Sequence, residues 1–118
     1  MADVRTITVS ELQARLEIGT PAEFWNVLTD DYFTGELIPG SRRVPLDHVG
    51  REAHDAGLAK DTEIVVYCSG PNCPQSRAAA EKLAAFGFTD VRAFEGGLEA
   101  WRNAGLPLVS AAAEPAAA

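Results

Sequence analysis

I-V-V-Y-C-S-G-P-N-C-P-Q-S-R, residues 64–77, decides how the rest of the chain is read. Its first four residues are β-branched or aromatic with no charged side chain among them, the pattern of a strand buried on both faces. Ser69, Gly70, Pro71 and Asn72 are turn formers and stop that strand. An alanine-rich stretch from Arg77 to Phe86 then reads as a helix closed by Gly87 in the C′ position. Cys68 falls where strand meets turn. Backbone N–H groups of such a turn, with the positive end of the helix, bind anions and lower a thiol pKa. A depressed pKa is therefore expected at Cys68.

Working outward, Ile7 to Val9 reads as a short strand. Ser10 and Gln13 form a capping box for a helix to about Ile18, which Gly19-Thr20-Pro21 ends. Phe24 to Leu28 reads as a second strand. Asp30 or Asp31 is placed to cap a short helix through Phe33. Ile38-Pro39-Gly40-Ser41 is a turn before a short strand near Arg43 and Val44. The segment from Leu46 to Leu58 is partly helical. Val91 to Phe94 is a strand, Gly96-Gly97 a turn, and Leu98 to Asn103 a last helix ending at Gly105. Trp25, Trp101, Phe86, Phe88 and Phe94 read as core or partly buried residues. Strands alternating with helices predict an α/β domain with a mainly parallel central sheet flanked by helices. Ligands of such sheets sit beyond the carboxyl ends of the strands, where Cys68 lies.

At 118 residues the chain suits one domain, and its 47% apolar content suits a packed core. We place the domain at residues 5–109 and a flexible tail at 110–118, S-A-A-A-E-P-A-A-A, which has no bulky anchor. Ten lysines and arginines against 17 aspartates and glutamates give a charge of -7, which argues against nucleic acid and anionic membranes as partners. No apolar run reaches membrane-spanning length, and M-A-D-V-R-T-I-T lacks the apolar core of a secretory signal, so a cytoplasmic location is expected. Two cysteines spaced C-x-x-x-x-C, without a second pair or a nearby histidine, do not make a zinc pattern; no metal site is expected.

The cysteine loop resembles that of the rhodanese family, in which a cysteine follows a buried strand and precedes a short loop and a helix. Further marks are I-P-G-S at Ile38–Ser41 with V-P-L at Val44–Leu46, G-F-x-x-V at Gly87–Val91, and F-E-G-G-L-E-A-W-R-N-A-G-L-P at Phe94–Pro107. Their order and spacing extend the likeness from about Val9 to Leu108. The resemblance implies a three-layer fold and sulfurtransferase activity. A Cys68 thiolate would attack the outer sulfur of a donor such as thiosulfate, giving a persulfide. A thiol, cyanide or a protein sulfur acceptor would then take the sulfur. It implies no metal and no organic cofactor. The implied substrate-binding residues are Ser69, Gly70, Pro71, Asn72, Cys73, Gln75, Ser76 and Arg77.

The loop departs from the family pattern C-x-x-G-x-R-S. Counting back from Gly87, Ser76 falls on the serine and Gln75 on the arginine, and the loop is longer than usual. Arg77 is the candidate replacement for that arginine. Pro71 and Pro74 have no N–H to donate, which thins an anion cradle. Where relatives that process oxyanions place an arginine, this chain has Pro74, which argues against phosphatase chemistry. The family's D-V-R and G-H-I-P-G-A become Asn26-Val27-Leu28 and Gly35-Glu36-Leu37-Ile38-Pro39-Gly40-Ser41. Cys73 has three readings: inert, a resolving thiol that attacks a Cys68 persulfide, or the main nucleophile. Arg42 and Arg43 are either a source of positive charge for the pocket or a solvated strand edge. His48 and His54 read as surface residues rather than general bases. The rival to catalysis is a non-catalytic or redox-sensing module that binds an anion or a protein through the Cys68–Cys73 loop.

Overall fold

The computed structural model describes residues 4–110. Five parallel strands form the main sheet in the order β1-β6-β5-β2-β4. They are β1 (Arg5–Thr6), β2 (Glu23–Asn26), β4 (Arg42–Arg43), β5 (Ile64–Tyr67) and β6 (Val91–Phe94). The central strand is β5, and it is fully buried and parallel to both neighbours. Ile64 and Val66 face one core cluster while Val65 and Tyr67 face the other, the two-residue alternation of a strand covered on both sides.

The helices supply those covers. On one face lie α2 (Val49–Asp55), entered through a 3-10 turn at Leu46–His48, and α3 (Gln75–Ala85). On the other lie α1 (Val9–Ile18) and α4 (Gly97–Asn103), through Leu12, Leu98 and Trp101. The result is the expected three-layer arrangement. A second, antiparallel pair joins β3 (Glu36–Leu37) to β7 (Val109–Ser110). Sequence patterning does not reveal this pair, because each strand is only two residues long. Ser110 therefore belongs to a strand rather than to the tail, and residues 111–118 lie outside the described residues.

Local chemistry explains several boundaries. Two overlapping capping boxes fit the first helix. The one formed is Thr8 with Glu11, not Ser10 with Gln13, and it starts the helix at Val9. The strand before it accordingly ends at Thr6. The Asp30–Phe33 segment is a turn on the Thr29 carbonyl instead of a short helix. Helix α3 begins earlier than expected, directly after Pro74. Its far end is a Schellman motif: the Gly87 and Phe88 amides bond back to Ala84 and Leu83, with Gly87 at φ 97°. Phe86 is 55% exposed and lies against Gly50, so it is not a core residue.

Candidate active site

Cys68 leaves the carboxyl end of β5 at the base of the loop that leads into α3. Its position is fixed from the opposite side by the start of α4. The Leu98 amide donates to the Cys68 carbonyl at 3.1 Å and the Glu99 amide to the Ser69 carbonyl at 2.9 Å. Such close approach requires Gly97. It sits at φ 58°, and a Cβ there would lie 2.3 Å from the Cys68 carbonyl oxygen. Gly70 has no positive φ, and a Cβ there would meet the Glu99 carboxylate at 2.6 Å, so a side chain at this position would have to displace Glu99.

The two thiols occupy different environments. Cys68 is fully buried, and its Sγ donates to the Cys73 carbonyl at 3.3 Å. Burial pushes the Cys68 thiol above its ordinary pKa and the adjacent Cys73 adds to the rise, against the Ser76 hydroxyl and N–H. The expected depression at Cys68 is thus reversed, because desolvation of the anion outweighs the helix end. Burial also pushes Cys73 up, but hydrogen bonds from the Cys68 side chain and from Gln75 and Ser69 outweigh it. Cys73 therefore sits below its ordinary value. Both cysteines are free thiols.

Ser76 is fully buried at the start of α3. Its hydroxyl and N–H both pull the Cys68 thiol down. With that thiol turned to the Cys73 carbonyl, the Ser76 Oγ has no hydrogen-bond partner. An unpaired buried hydroxyl costs about 1–3 kcal/mol. Gln75, in contrast, is committed: its Oε1 accepts from the Thr29 amide at 3.0 Å and its Nε2 donates to the Thr29 hydroxyl at 3.1 Å.

A pocket of about 440 Å³ opens over the loop. Of the sequence-predicted residues, Ser69, Gly70, Asn72, Cys73 and Gln75 line it, with Pro74. Cys68, Pro71, Ser76 and Arg77 are not among its lining residues. Arg77 instead pairs with Glu95 at 2.9 Å, so it does not stand in for the missing arginine. Arg42 pairs with Glu23 and Glu52 over the Trp25 ring, and Arg43 with Asp30 and the Leu28 carbonyl over Phe33. His48 and His54 are exposed. Two lining residues escape sequence reasoning, Tyr32 and Glu99. The Gly-Gly pair before α4 was the available signal for Glu99, since it aims the helix start at the cysteine loop. Glu99 is the charged group of the lining.

Tyr67 ties the other family-like segment to the central strand. Its hydroxyl accepts from the Ile38 amide at 2.9 Å and lies 2.7 Å from the Ser41 Oγ, which locks the I-P-G-S turn. Among the described residues, no cluster of His, Cys, Asp and Glu side chains converges as a metal site. No described helix is long and apolar enough to cross a membrane.

Comparison with known proteins gives relatives of different kinds. The chain is 30% identical over 102 residues to an HTH-type transcriptional regulator of Mycobacterium tuberculosis, covering 86% of this chain and 43% of that one. It spans less than half the length of that relative. The solution structure of the rhodanese-like domain of the Alr3790 protein from Anabaena sp. superposes with a TM-score of 0.77 at 27% identity, covering 98% of this chain and 87% of that one. A thiosulfate sulfurtransferase from Pseudomonas aeruginosa gives 0.76 at 29% identity, over 91% of this chain and 20% of that one. The family model described as "Rhodanese-like domain" matches residues 8–104, nearly the whole of the sheet and its covering helices, and the chain belongs to that family.

Proposed function

We propose that the chain transfers sulfane sulfur through a persulfide on Cys68. The observation that carries this reading is the buried, unpaired Ser76 hydroxyl beside the Cys68 sulfur. A neutral thiol leaves that donor idle. A thiolate or persulfide anion at Cys68 accepts from it and from the Ser76 N–H, so the site is prepared for a charge that the resting state lacks. Attack of the thiolate on a donor's outer sulfur forms the Cys68 persulfide and releases the donor's remainder; an acceptor thiol, cyanide or protein thiolate then removes the sulfur. The similarity to a thiosulfate sulfurtransferase supports the same chemistry.

The pocket lining bears on the donor. Glu99 is its charged member, and Gln75 replaces the family's arginine with an amide already bonded to Thr29. That favours a hydropersulfide of low charge over the thiosulfate dianion. Mass spectrometry after exposure to each donor is the test. One added sulfur on Cys68 of the wild type, passed to a thiol acceptor in a transfer that Cys68→Ser does not sustain, is the expected result. No added sulfur with any donor overturns the proposal.

A second reading is a sulfur- or redox-sensing module of a regulatory protein. It is favoured by two free cysteines in contact, the Cys68 thiol on the Cys73 carbonyl, and by the similarity to a transcriptional regulator. Here Cys68 and Cys73 form a reversible disulfide under oxidants, and no acceptor turns over.

A further inference from the structure

The pocket reaches one thiol and not the other. Cys73 is in its wall, partly exposed, whereas Cys68 is fully buried and absent from the lining. A donor that enters therefore meets Cys73 before Cys68. We propose that the loop is a two-thiol relay in which Cys73 takes the sulfane sulfur at the pocket and hands it to Cys68 behind it; this rests on the reading of Cys68 as the persulfide site.

The first step is attack of the Cys73 thiolate on the outer sulfur of a hydropersulfide R–S–SH. The donor S–S bond breaks, Cys73–S–SH forms, and the donor leaves as a thiolate that takes a proton from water. In the second step Cys68 attacks the outer sulfur of the Cys73 persulfide. The new S–S bond is on Cys68, the old one breaks, and the proton of Cys68 replaces the one Cys73 had lost. The sum is Cys68–SH plus HS–S–Cys73 giving Cys68–S–SH plus HS–Cys73, with no net oxidation.

Three features give the relay its direction. The Cys68 Sγ lies 3.3 Å from the Cys73 carbonyl oxygen, so the two cysteines are in direct contact. The amides of Ser69 and Gln75 stabilise a Cys73 anion, which makes Cys73 both the readier attacker at neutral pH and the better leaving group. Behind it, the Ser76 hydroxyl and N–H receive the charge that arrives on Cys68.

The experiment is a single-turnover reaction with cysteine hydropersulfide, quenched by alkylation at successive times, with the sulfur located by fragmentation of the peptide that carries both cysteines. In the wild type, sulfur is expected on Cys73 first and on Cys68 later. Cys68→Ser should hold one sulfur on Cys73. Cys73→Ser and Cys73→Ala should load Cys68 at least about tenfold more slowly, since access then requires local opening of the loop. Wild-type loading needs no variant, so a misfolded mutant does not remove the test. Loading of Cys68 at the wild-type rate in both Cys73 variants overturns the relay while leaving the Cys68 persulfide standing. A burst of sulfide with loss of both thiols also overturns it, because Cys68 has then attacked the inner sulfur and closed a disulfide. A wild type that takes no sulfur sinks the Cys68 reading and the relay together.

Discussion

The carboxyl ends of β2 and β5 lie side by side, with Asn26 in register with Tyr67, yet they treat their polar groups in opposite ways. Beyond β2 they are paired. The buried Asn26 accepts from the Leu28 amide at 3.0 Å and donates to the Glu36 carbonyl at 3.5 Å. Thr29 is held by Gln75, and Arg43 by Asp30 and the Leu28 carbonyl. Beyond β5, the Ser76 hydroxyl is unpaired and two free thiols stand together. Satisfied groups hold a shape, whereas a group left unsatisfied at a cost in stability is available to an anion that forms only during reaction. The β2 end is thus the brace and the β5 end the reactive part.

The largest effect that would break this division is Gly97→Ala. The added methyl collides with the Cys68 carbonyl and imposes a strained positive φ. We expect a loss of about 3 kcal/mol or more in urea unfolding, together with sulfur loading. Wild-type stability in that variant would mean that α4 does not clamp the loop. On the brace, Asn26→Ala should cost about 2 kcal/mol by leaving the Leu28 amide unpaired in the interior and removing the bond to the Glu36 carbonyl. Loading per folded molecule should change far less than stability does; a selective loss of loading would put Asn26 in the chemistry.

Ser76→Ala sharpens the contrast. Removing an unpaired hydroxyl should leave the urea midpoint unchanged or raise stability by up to about 1 kcal/mol. Transfer should nonetheless slow by about tenfold, equivalent to roughly 1.4 kcal/mol of lost stabilisation at the anionic sulfur. Because Ser76 holds the Cys68 pKa down, its removal shifts that pKa further up. The rise of Cys68 alkylation with pH should therefore move to higher pH, while Cys73 keeps its lower onset. A destabilised variant with unaltered kinetics would make Ser76 a structural residue. The smallest effect is at Glu99→Gln, which keeps the packing against Gly70 and removes the pocket's charge. Loading from an anionic donor should quicken about threefold at low ionic strength and lose that gain in high salt.

Legibility in the sequence followed the range of the interactions. The unbroken apolar run Ile64–Tyr67 identified the central strand, because burial on both faces demands it. Gly87 identified the end of α3, because a Schellman motif needs a positive φ at that residue. The first helix was expected to start at the Ser10-x-x-Gln13 box, although Thr8-x-x-Glu11 is an equally good local pattern. The structure forms the Thr8–Glu11 box. Arg77 looked available from its place at the helix start, but its partner Glu95 arrives from the segment after β6.

The sequence by itself determined the alternation of strands and helices, the parallel sheet and the cysteine at a strand's carboxyl end. These rest on periodicity and on backbone rules that act within a few residues. Tertiary structure alone decided which thiol faces the pocket, which thiol is the more acidic, and that Ser76 stands unpaired beside Cys68. Those properties depend on desolvation and on how α4 and the loop after β2 hold the cysteine loop in place. Hydrogen bonds to the two sulfurs come from neighbours in the chain, Ser69, Gln75 and Ser76. Distant groups bury each sulfur and fix the geometry of the loop, and no local pattern records that.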